Sequence, residues 1–342
     1  QRSLLIGAIA VLSFMLLTEW VAFRDEKTAA VEAGSSRLIT NDATQAATTA
    51  DMPEVPTTES LTDADDIPTA PGTEAPAAAN AATASSGRVI QVHTDSVQVA
   101  IDLQGGDIVE LALPRHLAEI DNPDVPFVLL ESNERRTYVA QSGLIGPDGI
   151  DSEGRATFTA GADRFDMQEG ADTLVVDLLW RGDDGVEITK RFTFTRGDYL
   201  VRVEYLVNNG SDARWQGNLF GQIKRDSSPQ PASSSGMGIQ PFLGAAITQP
   251  DERFTKFSFD DMAEEPFKAQ LPGGWIAMLQ HYFLSAWIPD PEQSHTYSAR
   301  VTRSGFNIAG FTSPAMTLDP GQSGTVSAQF WAGPKDQYRL KE

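Results

Sequence analysis

No cysteine occurs in this sequence, and basic residues are scarce. Its 342 residues include 26 Lys and Arg against 47 Asp and Glu, so the formal net charge is −21. Without cysteine there can be no disulfide, thiol nucleophile, Fe–S cluster or cysteine-based zinc site. An acidic chain is also a poor ligand for nucleic acids, because Lys and Arg make the contacts to phosphates. We therefore expect no nucleic-acid partner.

Motifs of catalytic and cofactor sites are missing as well. No P-loop, dinucleotide fingerprint or GxSxG motif occurs, and the four histidines are not spaced as metal ligands: His93, His116, His281 and His295. The sequence leaves a site with two catalytic carboxylates as an alternative, because Asp and Glu are plentiful. No spacing or motif identifies which two residues would form it. Hydrophobic residues make up 41% of the chain, enough for a sizeable core. We expect a folded protein that is not an enzyme, with no catalytic residue, metal or cofactor.

A long apolar run opens the chain. It begins at Leu4, ends at Val21 and carries no charge between residues 3 and 18. A helix of this length spans about 27 Å, roughly the hydrocarbon thickness of a bilayer. A cleaved signal peptide would need a small-x-small site after the run, where residues 19–24 are bulky, and a buried core helix would not lead into a long polar tail. We predict a transmembrane anchor helix over residues 1–23.

The charges that flank this run give opposite indications of its orientation in the membrane. Arg2 precedes it and favours a cytoplasmic N-terminus, whereas Arg24 and Lys27 follow it. The acidic remainder tolerates translocation, which favours its placement outside the cytoplasm. We expect a cytoplasmic N-terminus and, in a Gram-negative bacterium, a location at the inner membrane with the bulk of the chain in the periplasm.

Residues 24–86 have the composition of a linker. They include 16 Ala, 11 Thr, 11 acidic and 3 basic residues, and no aromatic residue occurs between Phe23 and Phe127. Such a segment cannot bury enough apolar surface to offset the entropy lost on folding. The alternative, an Ala-rich helix, is opposed by five prolines: Pro53, Pro56, Pro68, Pro71 and Pro76. We predict a disordered linker that holds the folded part away from the bilayer.

Residues 87–335 read as short strands and tight turns. Turns at residues 182–185 and 196–198 predict a three-stranded meander over residues 173–207. The uncharged run at 275–288 is short for a membrane span and predicts two adjoining buried strands, with a short buried helix as the alternative. Further strands are predicted at residues 89–93, 97–103, 108–113, 297–302, 306–311 and 325–331. We expect one all-β domain, a large antiparallel sandwich of two sheets.

One loop stands out from this pattern. Residues 224–241 read KRDSSPQPASSSGMGIQP, a long Ser/Pro/Gly stretch in an otherwise tight β protein. Loops of that length are usually functional or disordered. A mobile loop without a function is the simpler interpretation, and an interaction surface is the alternative.

Several segments resemble one family. The most specific is GGWIAMLQ at 273–280, followed by YF at 282–283 and AWIP at 286–289. Others are LQGGD at 103–107, AQSGL at 140–144, KRFTF at 190–194, RGDY at 196–199, FGQIK at 220–224, PDE at 250–252 and WAGPK at 331–335. With the QRSLL opening, the apolar run and the linker, they make the chain similar to the YidC membrane-protein insertases of Gram-negative bacteria.

The resemblance implies a fold and a role. The family's periplasmic domain is a β-supersandwich similar to galactose mutarotase, here residues 87–335. Its insertase activity lies in five further transmembrane helices, whose hydrophilic groove carries an Arg and which would follow this domain. Residues 336–342 would begin that connection. We expect an anchored periplasmic fragment of an insertase and chaperone that helps insert and fold inner-membrane proteins, alone or with the Sec translocon.

The resemblance also implies partners. These are SecD–SecF and SecY, and nascent inner-membrane proteins through the core helices. We expect the partner-facing surface within residues 224–259, with contacts from Lys224, Met237, Phe242 and Phe257. Two alternatives stay open. One is a membrane-anchored carbohydrate-binding or mutarotase-like protein, which would need an acid/base pair in the sheet cleft. The other is an anchored periplasmic chaperone complete at residue 342.

Overall fold

Alternation of buried and outward side chains sets the architecture. In Val186–Thr195, every second residue from Val186 to Phe194 is buried, and the residues between them point outward. This period of two is that of a strand with one face on a core. The computed structural model describes residues 66–68, 70, 88–119, 122–228, 242–249 and 252–335, and the predicted anchor and residues 336–342 lie outside them.

The described strands form two sheets. The ten-stranded sheet contains β1 (Val89–His93), β2 (Gln98–Asp102), β3 (Asp107–Glu119), β4 (Asn122–Asn133), β5 (Arg136–Ile145), β7 (Arg164–Asp166), β11 (Trp215–Arg225), β14 (Phe267–Pro272), β17 (Ser294–Val301) and β18 (Asn307–Leu318). The nine-stranded sheet contains β6 (Thr159–Ala160), β8 (Thr173–Arg181), β9 (Val186–Thr195), β10 (Leu200–Asn209), β12 (Gly244–Gln249), β13 (Glu252–Ser258), β15 (Ile276–Leu279), β16 (Phe283–Pro289) and β19 (Ser323–Pro334).

The spatial order of the strands differs from their chain order. It is β14-β17-β18-β11-β5-β4-β3-β2-β1-β7 in the first sheet and β13-β12-β15-β16-β19-β10-β9-β8-β6 in the second. Neighbours are antiparallel except β1 and β7, which run parallel. The predicted large antiparallel β-supersandwich is confirmed.

Hydrogen bonds and a shared apolar core join the two sheets. The Tyr138 hydroxyl lies 2.7 Å from Ser285 Oγ. The Trp287 indole donates to the Gln222 carbonyl at 3.0 Å. Buried polar groups satisfied in this way fix how the sheets meet, because an unpaired one would be costly.

The predicted meander forms as β8, β9 and β10, and the bounds of β8 and β9 are those expected. The run at 275–288 forms the two strands β15 and β16 rather than a helix. The helix described, α1 (Phe259–Glu264), is six residues long and begins with a capping box between Ser258 and Asp261. Over the residues described, no helix has both the length and the apolar character needed to cross a membrane.

Candidate functional site

The most charged part of the interior lies where the LQGGD segment meets β9. Arg155 forms ion pairs with Asp107 and, at 3.0 Å, with Asp151, whose side chain is fully buried. Lys190, also fully buried, donates to the Gly105 carbonyl at 2.9 Å. These four charged side chains, the central ionic cluster, connect β3, the 146–157 loop and the second sheet.

Burial and mutual attraction set the protonation of this cluster. Burial lowers the pKa of Lys190 to about 7, against the attraction of Asp107. Burial likewise raises the pKa of the Asp151 carboxyl, which Arg155 opposes. Burial disfavours the Arg155 guanidinium too, but Asp107 and Asp151 outweigh that cost and raise its pKa. A perturbed lysine of this kind occurs in catalytic sites and in structural networks alike.

Glycines make the cluster possible. Gly106 has φ of 62°, in the left-handed region, and a Cβ there would lie 2.8 Å from Lys190 Cδ. Gly105 has φ of 83°, and its Cβ would overlap the Arg155 guanidinium. Only glycine meets both demands without strain. The lysine ammonium is thereby enclosed by backbone, and it donates to the carbonyls of Gly105 and Ser142. The arrangement fits a structural clamp better than a catalytic site.

The four histidines do not come together. His93 lies 3.4 Å from Asp166, and the His116 imidazole lies 3.0 Å from the Tyr199 hydroxyl. His281 stacks on Tyr282, whereas His295 is buried. Among the residues that the structure describes, no group of three or more His, Asp or Glu could hold a metal ion.

The predicted partner contacts lie in different settings. Phe242 is exposed, and Lys256 Nζ lies 5.3 Å from its ring centroid. Phe257 is half-buried with its ring 5.0 Å from that of Phe267. Lys224 is largely buried and forms an ion pair with Asp66. Met237 lies outside the described residues. The partner-contact assignment stays a prediction for all four residues.

Phe242 belongs to a larger exposed aromatic surface on the β12–β13 hairpin. Phe254 is exposed, its ring lies 5.5 Å from Lys256 Nζ, and it also approaches the Trp275 ring at 6.2 Å. We call Phe242, Phe254, Lys256 and Trp275 the aromatic edge. Exposed aromatic rings beside a cation are characteristic of protein-binding surfaces.

A groove opens beside the last described residue. It has a volume of about 460 Å³ and is lined by His116, Leu117, Tyr282, Phe283, Pro334 and Lys335. Tyr282 is 68% exposed and Leu117 45% exposed, so its rim is apolar. We call it the Lys335 groove. Burial and, to a smaller extent, Lys256 of the aromatic edge lower the pKa of Lys335.

Backbone pairing builds this groove. Phe283 pairs with Pro334 across β16 and β19, and the Lys335 amide donates to the Tyr282 carbonyl at 2.8 Å. The Phe283 ring stacks on Phe127 of β4 at 4.2 Å, which brings the β3–β4 hairpin to the opposite wall. Sequence reasoning missed the groove because Tyr282 lies inside a run read as buried. The polar pair at 280–281 that interrupts this run marks the turn that exposes it.

Comparison with solved structures gives low similarity. A galactose mutarotase-like protein from Lactobacillus casei matches with a TM-score of 0.49 and 10% identity, over 71% of this chain and 99% of that one. A galactose mutarotase related enzyme from Lactobacillus acidophilus matches with a TM-score of 0.47 and 11% identity, over 71% and 97%.

Comparison with curated proteins gives much higher identity. The membrane protein insertase YidC of Cellvibrio japonicus is 41% identical over 351 residues, covering all of this chain and 59% of that protein. Those of Stutzerimonas stutzeri and Pseudomonas aeruginosa are 40% and 39% identical, with 60% and 61% of their lengths covered. The chain thus spans about three-fifths of these relatives.

A family model places the match within those proteins. The model of the YidC periplasmic domain matches residues 89–342, which contain all strands described above. The chain therefore belongs to the YidC family of membrane protein insertases, and its β-sandwich corresponds to that family's periplasmic domain.

Proposed function

We propose that this chain is the periplasmic portion of an insertase that places proteins in the bacterial inner membrane. The observation that carries this proposal is the match of the whole chain to proteins named membrane protein insertase YidC, at about 40% identity. The proposed layout has an anchor at residues 1–23 with a cytoplasmic N-terminus, a linker at 24–86, the periplasmic domain at 87–335 and the start of a connection to core helices at 336–342.

In this proposal the domain binds partners, and the core helices carry out insertion. Lys335 of the groove directly precedes residues 336–342 in the chain, the proposed connection to those helices. The apolar rim of the groove and the aromatic edge suit an apolar, acidic segment of a partner, with Lys256 and Lys335 as the complementary charges. We propose SecD–SecF and SecY as partners, with nascent inner-membrane proteins as clients of the whole insertase.

The test uses the native gene product in its own membrane. We expect its intact mass to exceed that of the 342-residue chain, because core helices follow. We also expect a photo-crosslinker at Tyr282 to form an adduct with purified SecD–SecF when both are reconstituted in one bilayer. A crosslinker at Leu179 is the control, because Leu179 is also a large exposed hydrophobic residue, 45% exposed, and lies on β8 away from the residues that line the groove.

Three outcomes would count against the proposal. An intact mass equal to that of this chain would favour the self-contained chaperone. Adducts of equal yield from Tyr282 and Leu179 would remove the groove as the partner-binding surface. Turnover or saturable binding of a sugar by the purified protein would favour the carbohydrate alternative.

A further inference from the structure

Part of the predicted linker is held against the ten-stranded sheet. The Asp66 carboxylate forms an ion pair with Lys224 of β11, and the two side chains are 9% and 13% exposed. Next to this ion pair, the Gln222 amide donates to the Asp66 carbonyl at 2.7 Å. Both the side chain and the backbone of Asp66 are therefore bonded to one strand.

Apolar contacts continue the attachment along the chain. Ala70 is buried and packs with Ile145 and Phe220, and Ile67 packs against the same cluster. This cluster is separate from the main core, which takes the alternate β11 residues instead. The contacts therefore lie on the face of β11 that points away from the other sheet. We call the segment 66–70, which is held through Asp66, Ile67 and Ala70, the docked motif.

The side chains of β11 that bind the motif are held in position by contacts of their own. The Gln222 amide also donates to Gln141 of β5 at 3.0 Å, which orients it toward the motif. Lys224 Nζ lies 4.2 Å from the Phe306 ring centroid, a cation–π contact that holds the ammonium in place. A buried lysine with an aromatic ring on one side needs an anion on the other, and Asp66 is that anion.

A proline restricts the motif before it docks. Pro68 has a fixed φ and disfavours the helical conformation of Ile67, so the free chain samples fewer conformations. Such pre-organisation lowers the entropy cost of binding. The 17 residues at 71–87 join the motif to the domain, and short connections give effective concentrations in the millimolar range. Weak contacts therefore suffice to keep the motif bound.

We propose that this face of the ten-stranded sheet is a peptide-binding site for an acidic residue followed by Ile-Pro, and that residues 66–70 are its intramolecular ligand. One consequence follows. Any partner that reaches the Lys224 ammonium must displace Asp66. The proposal rests on the contacts above and does not depend on the insertase function.

The chain has no cysteine, so one introduced cysteine labels one position. We would attach a nitroxide to Thr69→Cys in the full chain and record its EPR spectrum. An immobilised spectrum is expected, and Asp66→Asn, Ile67→Ser or Lys224→Gln should each convert most of it to a mobile one. Asp51→Asn is the matched control, with the same charge change in the same acidic linker, and should leave the label immobilised.

A second experiment supplies the motif in trans. A fluorescent peptide with the sequence of residues 65–71 should bind the full-length Asp66→Asn/Ile67→Ser variant saturably. Adding Lys224→Gln to this variant should abolish binding, and the unaltered chain should bind at least 10-fold more weakly because its site is occupied. Unchanged thermal unfolding would show that these variants keep the fold.

Several results would overturn the proposal. These are a mobile label in the unaltered background, equal spectra for Asp66→Asn and Asp51→Asn, and no saturable peptide binding up to millimolar concentrations.

Discussion

Arg155 and Lys190 share their backbone acceptors, because both side chains donate to the same two carbonyl oxygens. Arg155 Nη2 lies 3.1 Å from the Gly105 oxygen and 2.9 Å from that of Ser142. Lys190 Nζ lies 2.9 Å and 3.0 Å from the same two atoms. Arg155 belongs to the loop after β5 and Lys190 to the other sheet, so these carbonyls join three parts of the domain.

The shared acceptors predict unequal costs for losing the two cations. In Lys190→Met, Arg155 still satisfies both carbonyls, so we expect a loss of about 1–2 kcal/mol in unfolding free energy. In Arg155→Met, two buried carboxylates lose their ion-pair partner, and we expect a loss of about 3–5 kcal/mol. Urea denaturation of both variants checks this order. Equal losses would mean that Arg155 and Lys190 are not redundant.

Lys190 also predicts a pH dependence of stability. Burial lowers its pKa to about 7, whereas 10.5 is its ordinary value, which the unfolded chain keeps. Well below pH 7 the amine is protonated in both the folded and the unfolded protein, so it does not make the unfolding free energy depend on pH. Between about pH 7 and 10.5 the unfolded chain holds the extra proton, so stability rises with pH by about 2–3 kcal/mol from pH 7 to 9.

The increase of stability between pH 7 and 9 should disappear in Lys190→Met. It should persist in Lys256→Met, which removes an exposed lysine. Urea midpoints of the three proteins at pH 7, 8 and 9 provide the measurement. Parallel curves for the unaltered chain and Lys190→Met would show that the amine is already charged in the folded state.

The same residues show what the sequence can and cannot predict. The meander of β8 to β10 was predictable because alternation and the Gly182–Gly185 turn are local signals. The central ionic cluster was not, since Asp107 and Lys190 lie in different sheets and come together only when the two sheets pack face to face. The docking of Asp66 was hidden for a different reason. Composition describes the average of the linker, whereas Asp66 is held by one ion pair with Lys224 and one hydrogen bond from the Gln222 amide.

Glycine at position 106 should be harder to replace than an ordinary turn glycine. Gly106→Ala brings a Cβ to 2.8 Å from Lys190 in a left-handed conformation, so we expect a loss of about 2–4 kcal/mol. Gly170→Ala is the matched control. Its φ is 80°, but nothing lies within 4 Å of the added Cβ, so we expect only about 1 kcal/mol. Thermal unfolding of both variants separates the contact from the backbone strain.

Arg225 should be replaceable by an apolar residue. It is fully buried, and its Nε and Nη1 have no hydrogen-bond partner. Burial lowers the pKa of its guanidinium, and no carboxylate forms an ion pair with it among the described residues. Met keeps much of the side-chain volume without the charge. We therefore expect Arg225→Met to change the unfolding free energy by less than about 1 kcal/mol, or to stabilise. A loss above 3 kcal/mol in urea would contradict this.

The Lys335 groove yields a prediction about binding that does not involve folding. Tyr282 is largely exposed and stacks only on His281 among the ring contacts of the described residues. Its truncation should therefore leave stability within about 0.5 kcal/mol. As an aromatic anchor of the proposed interface, Tyr282→Ala should weaken binding of SecD–SecF in nanodiscs by about 10-fold.

Leu179→Ala is the control, because Leu179 lies on the outer side of β8, pairs with Thr189 and is exposed to solvent. It should leave the dissociation constant unchanged, and raised salt should weaken binding of the unaltered protein, since Lys256 and Lys335 contribute complementary charge. If Tyr282→Ala and Leu179→Ala bind equally well, the groove is not the contact. The aromatic edge would then be tested in the same way with Phe254→Ala, because its ring is exposed on the neighbouring hairpin.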